Sequence, residues 1–319
     1  MTWPRAVRFD LLAVNGVTLR VASLGDGPAV VLCHGFPQLA YAWRRVMPRL
    51  AAAGYTAVAP DLRGYGGSSV PAPVGAYRQQ LICSDLIGVA DAYGGGRAVF
   101  VGHDMGGMTV WNLAACHRDR VRAACAIGTP HAMPGRAPLT ELWLRSPGVF
   151  DYQLYLQEAG AAERELEADV ERSLTLLIRA PGEGCGALDR YSDVRLRGGL
   201  LAGLPDILPR SRLLSAADLA YYAGAFRLTG FRGALNWYRN YRSTWEWLLD
   251  HARYPIGVPA LLVSPDRDPV LTEEMSAGLE GAVPALARAR MAGCGHYAPE
   301  EQPERLAAIL IDWLDGLAP

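Results

Sequence analysis

Val99-Phe100-Val101-Gly102-His103-Asp104-Met105-Gly106-Gly107-Met108-Thr109-Val110-Trp111 is the stretch that decides how the rest of this chain is read. The apolar run Val99 to Val101 predicts the end of a buried strand, Gly102 to Gly106 a tight turn, and Gly107 onward the start of a helix. Glycines two positions either side of Asp104 allow a strained elbow that lifts the central side chain above the sheet. An aspartate can sit in a turn simply because it tolerates the backbone angles. A structural turn of that kind would not need the strand, both glycines and the following helix together, so Asp104 is read as a nucleophile.

Outward from this elbow, strand-like and helix-like segments alternate. Residues 6 to 12 and 17 to 24 are apolar-rich runs joined by Asn15-Gly16, a hairpin signal. Ala29 to Cys33 is a short, wholly apolar run ending in His34-Gly35-Phe36-Pro37, and Thr56 to Pro60 is the next. Trp43 to Ala53 and Gln79 to Tyr93 have helical composition, and Ala123 to Ile127 reads as another strand. From about His131 to Leu249 no strand is expected. Amphipathic stretches such as Ala161 to Arg179, and a Gly/Pro-rich loop from Ala180 to Pro209, mark a helical insertion. Alternation resumes at Ala260 to Ser264, Arg288 to Met291 and the closing helix Glu304 to Leu317. The expected architecture is α/β: a mostly parallel central sheet flanked by helices, formed by residues 1–130 and 250–319, with an inserted helical cap at 131–249.

Composition sets outer bounds. A chain of 319 residues, 50% hydrophobic and with net charge -1, reads as an ordinary soluble globular protein with one large core and a smaller unit. Its near-neutral balance offers no footprint for nucleic acid, and no apolar run approaches the roughly 20 residues of a membrane span. No apolar segment follows the early arginines as a secretion signal would require, so a cytoplasmic location is expected. Cys33, Cys83, Cys116, Cys125, Cys185 and Cys294 lack metal-type spacing and read as free thiols, mostly buried; no metal is expected.

An elbow nucleophile needs an acid and then a histidine later in the chain. Asp268 follows the strand at Ala260 to Ser264, and His296 lies between turn residues after the strand at Arg288, so both face the crevice that holds Asp104. His103 and His131 are read as structural. A carboxylate that attacks a saturated carbon gives an alkyl-enzyme ester, which water must then cleave. His296, oriented by Asp268, is placed to deprotonate that water. The backbone N–H groups of Phe36 and Met105 are the natural oxyanion donors.

Over nearly its whole length the chain resembles the hydrolase domain of the epoxide hydrolases of the α/β-hydrolase fold. The resemblance is carried by His34-Gly35-Phe36-Pro37, Arg63-Gly64-Tyr65-Gly66, Gly102-His103-Asp104-Met105-Gly106-Gly107, Phe150-Asp151-Tyr152-Gln153-Leu154-Tyr155, Gly230-Phe231-Arg232-Gly233 with Asn236-Trp237-Tyr238-Arg239-Asn240, and Gly293-Cys294-Gly295-His296. It implies Asp104 as nucleophile, Asp268 and His296 as the charge-relay pair, and Tyr152 and Tyr238 as the phenols that grip the epoxide oxygen. Spacing alone does not choose these tyrosines, because Tyr155 and Tyr241 lie three residues on and would share their helix faces. The implied reaction needs no cofactor; its partners are an apolar epoxide and water, and a homo-oligomer stays open.

Three departures from the family pattern stand out. Met105 occupies a position where many relatives carry Trp, Gln38-Leu39 replaces a common Glu-Ser pair, and Ala159 replaces a frequent Pro. Haloalkane and haloacid dehalogenases share the aspartate nucleophile and its acid-histidine pair, and fluoroacetate dehalogenases also share His-Gly-Phe-Pro-Gln. Those enzymes hold halide or carboxylate with Trp or Arg beside the nucleophile, where this chain has Met105 and Met108. A catalytically silent hydrolase serving as a binding module is a further alternative. It fits poorly with a complete triad and both phenols.

Overall fold

Asn15 and Gly16, both at positive φ, turn the chain between β1 (Arg8–Val14) and β2 (Val17–Leu24), which pair antiparallel with Val14 opposite Val17. The computed structural model describes residues 3–184 and 186–317. Six further strands follow: β3 (Ala29–Cys33), β4 (Thr56–Pro60), β5 (Ala98–His103), β6 (Val121–Ile127), β7 (Ala260–Pro265) and β8 (Leu286–Met291). They form one sheet in the order β1-β2-β4-β3-β5-β6-β7-β8, antiparallel at β1/β2 and β2/β4 and parallel from β4 to β8. The first crossovers move outward to one side and the later ones to the other, so the order reverses beside β3 and β5. The carboxyl ends of those two strands border the crevice where such sheets bind ligands.

Both faces of the sheet are covered, which explains the unbroken apolar runs of β3 and β5. Along β3, Val31 and Cys33 join one core layer while Val30 and Leu32 join the other. Helices Gln79–Gly94 and Met105–Cys116 supply Leu86, Val110 and Leu113 to the first layer; helices Met47–Ala52 and Pro303–Asp315 supply Leu50, Leu306 and Leu310 to the second. Each such fully buried side chain contributes about 1.5–3 kcal/mol of transfer free energy.

Between β6 and β7 the described residues are helical and contain no strand. Leu139–Arg145, Asp151–Gln157, Ala161–Ala168, Val170–Leu177, Ala216–Thr229, Arg232–Tyr238 and Tyr241–His251 are its main helices. The amphipathic stretch Ala161 to Arg179 forms two helices divided at Asp169, whose backbone is extended and whose carboxylate caps the second helix by accepting from the Arg172 N–H at 2.9 Å. The helix expected at Trp43 to Ala53 divides into a 3-10 segment, Ala40–Arg45, and a helix beginning at Met47, where Pro48 needs no hydrogen-bond partner for its nitrogen. The loop expected at Ala180 to Pro209 carries short helical turns at Ala187–Asp193 and Val194–Arg197.

These helices sit on the carboxyl end of the sheet through specific contacts. A Cβ on Gly233 would lie 2.6 Å from the Gly64 carbonyl oxygen, so glycine at this position lets the two backbones meet. Trp237 Nε1 donates to the Arg63 carbonyl at 3.0 Å, and Asn240 Nδ2 to that of Val74 at 2.8 Å. Further round, buried Arg44 bridges Glu300 at 2.7 Å and Asp218 of the Ala216–Thr229 helix at 3.0 Å, and Tyr222 donates to the same Glu300. Cys33, Cys83, Cys125 and Cys294 are buried free thiols and Cys116 is a half-buried one; Cys185 lies outside the described residues. No described helix is long and apolar enough to cross a membrane.

Candidate active site

Asp104 sits between β5 and the Met105–Cys116 helix at φ 52° and ψ -119°, a strained conformation for a non-glycine residue. Close packing imposes it. A Cβ on Gly102 would lie 2.2 Å from the Gly106 carbonyl oxygen, and one on Gly106 would lie 2.3 Å from that of Cys33. The Asp104 carbonyl accepts from Thr129 Oγ1 at 2.8 Å, which braces the elbow from the end of β6.

The Asp104 carboxylate is held by backbone donors: the Phe36 N–H donates to Oδ2 at 2.9 Å, and the Met105 N–H also bonds the carboxylate. Burial raises the Asp104 pKa, while the charge of His296 and these two N–H groups pull against it. The half-buried carboxylate is therefore held by fixed backbone dipoles at the end of the cavity, an arrangement suited to a nucleophile whose carbonyl later carries an oxyanion.

Asp268 and His296 lie in the loops after β7 and β8 and meet there: His296 Nδ1 donates to Asp268 Oδ2 at 2.8 Å. The other oxygen of Asp268 accepts from the N–H groups of Val270 and Leu271 at 2.9 and 3.0 Å. Burial opposes ionisation of Asp268, but His296 and those donors outweigh it and hold its pKa below the usual carboxylate value. For His296 burial works toward the neutral ring, yet the charge and hydrogen bond of Asp268, with the charge of Asp104, raise its pKa to about 9.

Tyr152 and Tyr238, on helices Asp151–Gln157 and Arg232–Tyr238, are both buried and both within the field of Asp104. Burial first, and then that negative charge, push both phenols well above their ordinary pKa, keeping them protonated donors. Their sequence neighbours are otherwise engaged. The Tyr155 hydroxyl donates to Glu165 at 2.9 Å, and that of Tyr241 to Met105 Sδ at 3.5 Å. Tyr155 is thereby turned away to Glu165, whereas Tyr241 also lies in the field of Asp104 and lines the cavity beside it.

Some residues at the site carried no functional reading from sequence. His103 is fully buried, with Nε2 2.7 Å from the His296 carbonyl and Nδ1 2.9 Å from Gln38 Oε1. Burial and the neighbouring His296 lower its pKa to about 3, so the ring is neutral: its one N–H, on Nε2, donates to the His296 carbonyl and braces that loop, and Nδ1 is left as an acceptor facing the Gln38 side-chain amide. Tyr191 stacks on Tyr152 with ring centroids 4.0 Å apart. Only the phenol count of the insertion could have hinted at it. Gln153, beside Tyr152 in the quoted motif, donates through Nε2 to the Tyr152 oxygen at 2.7 Å.

A cavity of about 660 Å³ reaches Asp104 and Met105 and runs past Met108, Trp143, Phe150 and Tyr241. Its wall is mostly apolar. Another depression, of about 590 Å³, lies near Ala29 and Ala98 at the amino ends of the strands, away from these groups.

Residues 28–181 match the α/β-hydrolase fold family. The chain is 40% identical to epoxide hydrolase A of Mycobacterium tuberculosis over 96% of its own length and 97% of that protein. It is likewise 40% identical to the bifunctional epoxide hydrolase 2 of Sus scrofa over 96% of its length, but it spans only 54% of that protein. Among solved structures, an epoxide hydrolase from an endophytic Streptomyces superposes with a TM-score of 0.91 at 34% identity, covering 98% of this chain and 97% of the other. Epoxide hydrolase A from Mycobacterium thermoresistibile superposes with a TM-score of 0.87 at 36% identity, covering 98% and 99%.

Proposed function

The chain belongs to the epoxide hydrolases of the α/β-hydrolase fold, and we propose that it converts an apolar epoxide to a vicinal diol through an ester on Asp104. The observation that carries this reading is the burial of two protonated phenols, Tyr152 and Tyr238, in the field of a carboxylate held on an elbow. An Asp104 oxygen attacks a ring carbon while a phenol proton passes to the ring oxygen. His296 then takes a proton from water, and the resulting hydroxide attacks the ester carbonyl, whose developing charge meets the N–H groups of Phe36 and Met105. No cofactor enters these steps.

The surroundings of the nucleophile favour this chemistry over dehalogenation. Met105 and Met108 line the cavity at the positions where a halide or carboxylate would need N–H donors, and a thioether offers none. We assign residues 1–130 and 250–319 to the catalytic core and 131–249 to a cap, with Tyr152 and Tyr238 lowered onto the nucleophile by the latter. The reading places the enzyme in the cytoplasm, without nucleic-acid partners, and allows a homo-oligomer. Turnover of a panel of aryl and alkyl epoxides and haloacids, followed by diol and halide detection, tests it. Diol from the epoxides is expected, and it should vanish in a folded Asp104→Ala variant. Halide release without diol, or full activity in that variant, would overturn the proposal.

A further inference from the structure

We infer that the two phenols divide the work of ring opening: Tyr152 surrenders its proton with Gln153 as its positioning residue, while Tyr238 only hydrogen-bonds the ring oxygen. This rests on the proposed reading of both tyrosines as the groups that hold the epoxide. The two hydroxyls sit in different surroundings. Gln153 Nε2 donates to the Tyr152 oxygen at 2.7 Å, so that oxygen is already an acceptor and its own O–H is left for the substrate. The Gln153 side chain is buried and lines the cavity, and its carbonyl oxygen has no partner among the described residues. The side-chain amide is thus committed to Tyr152 alone. Tyr191 covers the face of the Tyr152 ring at 4.0 Å and an interplanar angle of 25°, which fixes the ring as well as its oxygen.

Tyr238 has no equivalent. Its ring meets Phe36 and Tyr241 edge-on at 5.7 and 6.1 Å, and its hydroxyl makes no hydrogen bond to a described residue. An N–H aimed at a phenol oxygen stabilises the tyrosinate far more than the phenol, whereas aromatic edges do little for either. Burial and the charge of Asp104 raise both pKa values, but only at Tyr152 does a neighbouring donor pull the other way.

The step balances as follows. An Asp104 oxygen forms a bond to a ring carbon; the C–O bond of the ring breaks with its electron pair moving to oxygen; and the Tyr152 proton moves to that oxygen, leaving an ester and a tyrosinate. In the second half, water gives its proton to His296 and its oxygen to the Asp104 carbonyl carbon. The departing alkoxide is protonated by His296, and the proton of the regenerated Asp104 acid returns through solvent to Tyr152.

Single-turnover rapid quench with an aryl epoxide separates ester formation from ester cleavage. Gln153→Met, nearly isosteric, should slow ester formation by roughly ten- to a hundredfold, the range for a hydrogen bond to a charged group, and leave cleavage unchanged. The solvent deuterium isotope effect on ester formation should grow in that variant, because proton transfer from Tyr152 becomes the harder part of the step, a change that a purely structural role would not produce. Gln153→Glu, with a carboxylate in place of the donor, should be at least as slow, and Tyr152→Phe should lose more than Tyr238→Phe. Wild-type ester formation in folded Gln153→Met, or equal losses in the two Phe variants, overturns the division of labour; if Gln153→Met fails to fold, the Phe pair decides. If neither Phe variant is slowed, the reading of these tyrosines as acids fails, and the inference with it.

Discussion

Replacing Asp268 by asparagine should separate the two halves of the reaction. In the native site Asp268 Oδ2 accepts the His296 Nδ1 proton at 2.8 Å, while Oδ1 is fixed by the N–H groups of Val270 and Leu271. An asparagine keeps its oxygen on those backbone donors and turns its NH₂ toward His296. The ring must then accept at Nδ1 and carry its proton on Nε2, the nitrogen that has to take a proton from water. A comparable tautomer reversal in a serine-type triad costs about 10⁴ in turnover. The substitution also removes the leading charge that raises His296 to about 9, so the remaining base is weaker. Ester formation does not use His296 as a base and should survive. The expected outcome is a variant that accumulates alkylated Asp104, seen by mass spectrometry as a peptide heavier by one substrate, with diol release slowed roughly ten-thousandfold. Diol release within about tenfold of wild type, with no alkylated peptide, would refute the reasoning.

The ester-cleavage rate should rise with pH and level off, because His296 must be neutral to act as base. Alkylation neutralises Asp104 and removes one of the charges raising the imidazole, so the midpoint should fall below about 9; a rate flat across the histidine range would count against it. Gly102→Ala places a Cβ 2.2 Å from the Gly106 carbonyl oxygen and should destabilise the fold by about 3 kcal/mol in chemical denaturation, with a native-like midpoint as the contrary result. Arg44→Met removes the buried cation that joins Glu300 to Asp218, leaving Glu300 paired with Arg45, and should cost about 3 kcal/mol by urea unfolding; a cost under about 1 kcal/mol would mean the network behaves as if exposed.

The sheet and elbow were legible in the sequence because they rest on local rules: apolar runs covered on both faces, a hairpin turn, and glycines where backbones touch. Asp104, Asp268 and His296 were legible for the same reason, each lying just past a strand end. Spacing could not choose among the cap phenols, since a helix face holds several residues; only tertiary contacts show that Tyr155 turns to Glu165 while Tyr241 stays at Met105 beside the cavity. The contacts of Tyr191 and His103 join residues remote in sequence, and that of Gln153 depends on the orientation of a single amide, so none is marked in the sequence. The helix break at Asp169 is masked in the sequence because the apolar period continues across it while the capping carboxylate ends one helix and starts the next.

The claim beneath all of this is that Asp104 becomes covalently joined to its substrate. One turnover in heavy-oxygen water, with enzyme in excess and the Asp104 peptide examined by mass spectrometry, tests it most directly. The account predicts that the label enters the Asp104 carboxylate and that the first diol released carries none. Label found directly in that diol, with Asp104 left unlabelled, would contradict it.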